Sequence, residues 1–268
     1  MFALDAKTMQ RIAPVVRRVI IVDPNPAAAR LLSDLLKGFG TREIAIEGDE
    51  ARIIDLAREM EPGLILTERS GPNLDGEALV RRIRRSSLGC RRAPIIMVTS
   101  EATASSIKGA RDSGVHEFLR KPFTSGDLFR RVENLATKPR DWVEAVGYVG
   151  PDRRRFNSDD YAGPQKRKAD KPRSGAEAAL AVKDQALRIL KAALDQFDSD
   201  PMQAVRAVKQ QAETLKALAI KTGDAPLAIA AAGLDTVLAA GAPTRMTLTA
   251  PINALLAMAD PGTLARAG

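Results

Sequence analysis

The sequence predicts a doubly wound, five-stranded parallel α/β domain followed by a small all-α helical bundle. Three observations lead there. Between residues 17 and 137 short apolar runs alternate five times with stretches of helical periodicity. Most of those runs are continuously apolar, as strands are when both faces of a sheet are covered. Beyond residue 176 the strand pattern stops and alanine-rich helical periodicity takes over.

The elements follow in order. "RRVIIVDPNP" (17–26) reads as a buried strand closed by turn residues at Asp23. In 27–40, Leu31, Leu32, Leu35 and Leu36 recur at helical spacing before Gly38. "REIAIEG" alternates as a half-covered strand does, and "DEARIIDLAREMEP" is an amphipathic helix. "GLILTE" (63–68) is a second buried strand, "GEALVRRIRRSS" a helix, and "APIIMVTS" (93–100) a third buried strand. "TASSIKGARDSG" is a weak helix and "VHEFLRKPF" a strand with its turn. "TSGDLFRRVENLAT" (124–137) is a helix with a Ser/Thr start signal. In such a sheet, function sits at the carboxyl ends of the strands. Asp23, Glu68, Thr99 and Lys121 all fall at or just past those ends.

Four segments result: an N-terminal extension (1–16), the α/β domain (17–137), a basic arm or linker (138–175) and the bundle (176–262). The arm is rich in Pro, Gly, Arg, Lys and Asp, and it repeats itself: "YVGPDRRR" (148–155) and "YAGPQKRK" (161–168). In the bundle, Leu187, Leu190, Leu194 and Phe197 form one apolar stripe, Asp200 and Pro201 start the next helix, and Gly223 ends it.

Composition bounds the function. With 41 Lys plus Arg against 33 Asp plus Glu, the formal net charge is +8, which favours an anionic partner. One cysteine, Cys90, allows neither an intrachain disulfide nor a cysteine-based zinc site and fits a reducing cytosol. No signal peptide and no membrane-length apolar run are read, so a cytoplasmic protein is expected. No nucleophile–base pair, metal cluster or glycine-rich phosphate loop is legible, so no enzyme is expected. No helix-turn-helix or zinc finger is apparent, which argues against sequence-specific DNA reading. His116, the only histidine, has no catalytic companion in sequence and reads as structural.

On "IIVDPNP", "PGLILTERSGPNLDG", "PIIMVTS" and "FLRKPF", residues 17–137 resemble the receiver domain of bacterial two-component response regulators, a flavodoxin-like fold. The resemblance makes Glu68 the equivalent of the phosphoacceptor aspartate, and Asp23, Pro24, Thr99 and Lys121 the receiver pocket. Thr99 and Phe118 become the switch residues. It also carries departures: the acceptor is Glu68 rather than aspartate, and the second metal-binding acid is Pro24. Asp23, Glu68 and the Ser70 carbonyl remain as ligands for Mg²⁺, whose binding so few carboxylates would weaken. Glu68 is expected to pair with Lys121 and accept a hydrogen bond from Thr99. Three readings stay open: a pseudo-receiver locked in one signalling state, a decayed site, and residual phosphorylation.

"AETLKALAIKTGD" (212–224) is similar to the signature of histidine phosphotransfer domains, with Glu213 at the histidine position. An ordinary solvated helical glutamate is the competing reading. Arg153, Arg154, Arg155, Lys166, Arg167 and Lys168 of the arm, and the arginine run 81–92, are anion-binding candidates. The expected function is therefore signalling by protein–protein contact with a histidine kinase or response regulator, with a homodimer allowed. The alternative is a sensor that binds a phosphorylated small molecule, such as a cyclic dinucleotide, through the basic arm.

Overall fold

The computed structural model describes residues 6–153 and 175–259. They fall into two compact units. The first holds the chain up to Val143 together with the stretch from Tyr148; the second holds Glu144–Gly147 and the C-terminal helices.

The first unit is built on a five-stranded sheet: β1 (Arg18–Val22), β2 (Glu43–Glu47), β3 (Leu64–Thr67), β4 (Ile95–Thr99) and β5 (Glu117–Arg120). The strand order is β2-β1-β3-β4-β5, and every pairing is parallel. The helices are α1 (Ala6–Val16), α2 (Pro26–Gly38), α3 (Glu50–Met60), α4 (Gly76–Arg85), α5 (Ala104–Ser113) and α6 (Ser125–Thr137).

Side chains alternate across a strand, so a doubly covered sheet needs two cores. Ile20, Val22, Ile65, Met97 and Phe118 point to one face and pack with Ile53 of α3, Leu79 and Ile83 of α4 and Ala110 of α5. Val19, Ile21, Leu64, Leu66, Ile96 and Val98 point to the other face. There they meet Ile12 and Val16 of α1, Leu32 and Leu36 of α2, and Leu128 and Val132 of α6. The segment read as an N-terminal extension is thus a helix whose Ile12 and Val16 are fully buried in that core. β2 lies at the sheet edge, which explains why its sequence alternates while β1, β3 and β4 are buried almost throughout.

Helix starts follow their caps. Asn25, Asp49, Asp75 and Thr103 each accept hydrogen bonds from the first-turn amides of the helix they precede. Thr124 and Asp127 form a reciprocal capping box on α6, as the Ser/Thr start signal implies.

Part of the segment expected to be a basic arm is regular structure. Trp142–Glu144 and Val149–Pro151 are short strands of one two-stranded sheet. Tyr148 is buried, and its hydroxyl donates to the Pro151 carbonyl at 2.6 Å. The aromatic and valine side chains of this stretch bury apolar surface that a solvated arm would leave in water. Residues 154–174, which carry the second copy of the repeat, lie outside the described residues.

The second unit has four helices: α7 (Gly175–Asp195), α8 (Pro201–Thr222), α9 (Ala225–Ala239) and α10 (Arg245–Leu256). Each packs on the next, and α10 packs back on α7, closing a four-helix bundle. Leu187, Leu190, Val208, Leu215, Leu234 and Ile252 are fully buried at its centre. Asp200 caps α8 through the Gln203 amide, Pro201 occupies the first turn, and Gly223 ends the helix at φ 69°. No helix among the described residues is long and apolar enough to cross a membrane.

Candidate functional site

The sheet order brings the sequence-predicted residues together. β1 and β3 are neighbours with Val22 opposite Thr67, so Asp23 and Glu68 emerge side by side. The Glu68 amide donates to the Val22 carbonyl at 2.8 Å, continuing the ladder past the strand end. The Lys121 amide donates to the Thr99 carbonyl at 2.8 Å, which carries Lys121 to the same edge.

There the Lys121 ammonium bridges two acids. Its Nζ lies 2.6 Å from Glu68 Oε2 and 2.9 Å from Asp23 Oδ2. The remaining carboxylate oxygens take backbone donors: Glu68 Oε1 accepts from the Arg69 amide at 2.7 Å, and Asp23 Oδ1 from the Asn25 amide at 2.9 Å. All three side chains are largely withdrawn from solvent, with 3% exposure for Asp23, 13% for Glu68 and 24% for Lys121. Burial alone would lower the Lys121 pKa, but the hydrogen bonds and charges of Glu68 and Asp23 outweigh it and hold the ammonium above the ordinary lysine value.

The triad borders a cavity of about 620 Å³ lined also by Pro24, Asn25, Ser70, Pro72 and Ser100. Pro24 packs its ring over Gly71: a Cβ built on Gly71 would lie 2.7 Å from the Pro24 Cγ. Gly76, the first residue of α4, abuts the Glu68 backbone so closely that a Cβ there would collide with the Glu68 carbonyl oxygen.

Thr99 is buried at this edge, but the hydrogen bond expected between it and Glu68 is not formed. The two Glu68 oxygens are turned to Arg69 and Lys121, and Thr99 Oγ1 accepts instead from the Glu101 amide at 3.3 Å. Phe118, expected to be a switch residue, is 3% exposed and lies in the core with Met97 and Ala110.

The donor set does not suit Mg²⁺. That ion needs near-octahedral oxygen ligation. Here Pro24 supplies no carboxylate, and the two acids that remain, Asp23 and Glu68, share one ammonium. The Ser70 carbonyl alone adds little to such a pair. Among the described residues no three His, Cys, Asp or Glu side chains converge in a way that could hold a metal.

The other predicted positions lie elsewhere. Glu213 is exposed on α8 of the bundle; nearby Lys216 pairs with Asp235 at 2.7 Å. Arg153 pairs with Asp112 at 3.0 Å and lies 4.4 Å over the Tyr148 ring. Arg154, Arg155, Lys166, Arg167 and Lys168 fall outside the described residues.

The arginine run 81–92 divides. Arg81 reaches Glu77 at 3.8 Å, and Arg82 reaches Glu50 at 3.5 Å. Arg84 is fully buried at the opposite end of the sheet from Lys121. Its guanidinium donates to the carbonyls of Gly114 (3.0 Å), Arg91 (2.7 Å) and Ala93 (2.8 Å) and lies 3.1 Å from His116 Nδ1. Burial pushes its pKa down to about 9. Sequence reasoning missed this role. The available signal was spacing: Arg84 follows Val80 by four residues, on the face that also carries Leu79 and Ile83. Arg69 was likewise missed; adjacency to Glu68 was its only sequence signal.

Residues 19–133 match the family model described as response regulator receiver domain. Among curated proteins, the DNA-binding response regulator MtrA of Mycolicibacterium smegmatis is 29% identical over 125 residues, 47% of this chain and 53% of that protein. The hybrid signal transduction histidine kinase D of Dictyostelium discoideum is 31% identical over 119 residues, 44% of this chain and 8% of that protein. The chain therefore spans about half the length of the first relative and a small part of the second. Among solved structures, the chemotaxis protein CheY4 of Vibrio cholerae is 22% identical, with a TM-score of 0.42, and the match covers 44% of this chain and 98% of that one. With the sheet order, the two covered faces and the Lys121 edge in place, residues 19–133 are a response regulator receiver domain, joined in one chain to a four-helix unit.

Proposed function

We propose that this receiver is a pseudo-receiver: it works in two-component signalling through protein–protein contact, held in one state by an internal ion-pair triad rather than by phosphorylation. The observation that carries the reading is the bridging of Glu68 and Asp23 by the Lys121 ammonium at 2.6 and 2.9 Å. Glutamate is one methylene longer than aspartate, and that extra reach delivers its carboxylate to the lysine. Charge-assisted hydrogen bonds of this kind contribute roughly 1.5–3 kcal/mol each before desolvation is counted, enough to bias a two-state element. Pro24 in place of an acid, and two carboxylates already sharing one internal ammonium, point away from metal-assisted phosphoryl transfer. The partners are a histidine kinase or another response regulator, met on a receiver surface whose state no longer depends on a phosphoryl donor.

Intact-mass measurement after incubation with Mg²⁺ and acetyl phosphate tests this. The wild-type chain stays unmodified, while Pro24→Asp combined with Glu68→Asp gains a phosphoryl adduct. An adduct on the wild type overturns the proposal.

A further inference from the structure

We infer that Arg69 is a positioning residue that couples the Glu68 carboxylate to the loop after β4. The inference rests on the fixed-state reading of Glu68 and extends it to how that state is passed on.

Arg69 is bound at both of its ends. Its backbone amide donates to Glu68 Oε1 at 2.7 Å. Its guanidinium reaches two glutamates on two other segments: Nε to Glu77 Oε1 at 3.1 Å and Nη1 to Glu101 Oε2 at 2.5 Å. Glu77, in the first turn of α4, is the fixed anchor. Its side chain fills the space above Gly109 of α5, where a Cβ would lie 2.5 Å from Glu77 Oε1, and Arg81 approaches its other oxygen at 3.8 Å. Glu101 is the more solvated end of the clamp. Its side chain is 53% exposed, against 18% for Glu77 and 26% for Arg69.

Glu101 in turn holds the loop. Its amide donates to Thr99 Oγ1 at 3.3 Å, and its carbonyl accepts from Ser106 Oγ in the first turn of α5 at 2.7 Å. The contacts therefore run from Glu68 to Arg69, to Glu101, and from Glu101 to both Thr99 and α5. Glu68 makes no hydrogen bond to Thr99, so this indirect route takes the place of a direct one. A planar fork suits this geometry. One guanidinium serves two carboxylates in different directions, which a lysine ammonium does with less geometric control.

Amide hydrogen exchange across residues 100–106 of the full chain reads the coupling. Arg69→Ala and Glu101→Gln each speed exchange about two- to fivefold, the range expected for a partly exposed ion pair. The double variant exchanges no faster than the faster single one. Glu68→Ala speeds the same amides in the wild-type background and leaves them unchanged in the Arg69→Ala background. Unchanged exchange in Arg69→Ala, additive effects in the double variant, or a Glu68→Ala effect that survives without Arg69 each overturn the inference. The acetyl phosphate experiment is read by mass rather than by exchange. An adduct on the wild type sinks the fixed-state reading, while intact mass with a silent loop sinks the Arg69 route alone.

Discussion

The receiver sheet holds a partnered cation at each end, one partly exposed and one fully buried, and the two are stabilised by opposite means. At the carboxyl end, Lys121 sits between two carboxylates, and its charge is met by charge. At the amino end, Arg84 has no carboxylate among its closest donors and acceptors: three carbonyls and the ring nitrogen of His116 surround it. Trp142 adds its ring face 5.3 Å from the guanidinium. The first arrangement has a net charge that changes when either acid is replaced. The second is a dipolar cage that ties α4, the end of α5 and the approach to β5 into one rigid corner. The receiver thus keeps its adjustable chemistry at one edge and its fixed scaffold at the other.

The sharpest way to break this comparison is to empty the cage. Arg84→Ala strands three carbonyls and leaves a cavity beneath Trp142. The expected loss is about 3 kcal/mol or more, since each stranded buried group costs roughly 1–3 kcal/mol. A thermal melt of the full chain, followed at Trp142 fluorescence, reads it directly. If the receiver transition does not move, the cage is not a scaffold.

Lys121→Met comes next. It leaves Asp23 and Glu68 facing each other without their shared cation, at an expected loss of about 2 kcal/mol, below the range for fully buried pairs because the lysine is partly exposed. In the wild type, the raised Lys121 pKa sets the sign of the pH dependence. Its contribution is fully present below the ordinary lysine value of 10.5 and is lost as pH rises through the higher folded-state value. The alkaline limb of a stability–pH profile should therefore flatten in Lys121→Met.

How much of this was legible in the sequence divides along the same line. Asp23, Glu68, Thr99 and Lys121 each end an apolar run, so the parallel topology alone predicts that they share an edge. The Glu68–Lys121 pair was expected from the receiver resemblance. The Thr99 contact expected with it does not form: the Glu68 oxygens are taken by Lys121 and by the Arg69 amide, a backbone group that carries no sequence signature. Arg84 stood in a run of six arginines read as an anion-binding candidate on the surface. Its burial depends on carbonyls from residues 91, 93 and 114, whose convergence is a property of the folded chain. The burial of Tyr148 and Val149 was hidden for a similar reason: the composition around them is polar.

A finer contrast between the two ends comes from acid. His116 is buried beside Arg84, and burial together with the charges of Arg84 and Arg140 holds its pKa well below 6.5. Its Nδ1 accepts from the Ile95 amide at 3.3 Å, which a protonated nitrogen cannot do. The depressed pKa means the contribution is complete above pH 6.5 and is lost as pH falls below it, at up to about 1.4 kcal/mol per pH unit. Denaturant melts between pH 7 and pH 5 should show that slope, and His116→Gln should reduce it. The amino end thus responds to acid and the carboxyl end to alkali.

The smallest expected effect is that of Glu68→Ala on stability, about 1 kcal/mol, because Lys121 keeps Asp23 as its partner. A loss as large as that of Lys121→Met would mean that Asp23 contributes nothing to the triad, and the carboxyl end would then be a simple pair.

The stacking of Pro24 on Gly71 reaches beyond the site itself. No side chain fits at position 71 while the proline ring stands over it, so the two positions share one steric history. Lineages that keep the proline should keep the glycine, and those with a slimmer residue at 24 are free to vary at 71. A proline at 24 thereby narrows the substitutions open to the loop facing it, and placing an acid at 24 would have to be judged with its neighbour in view.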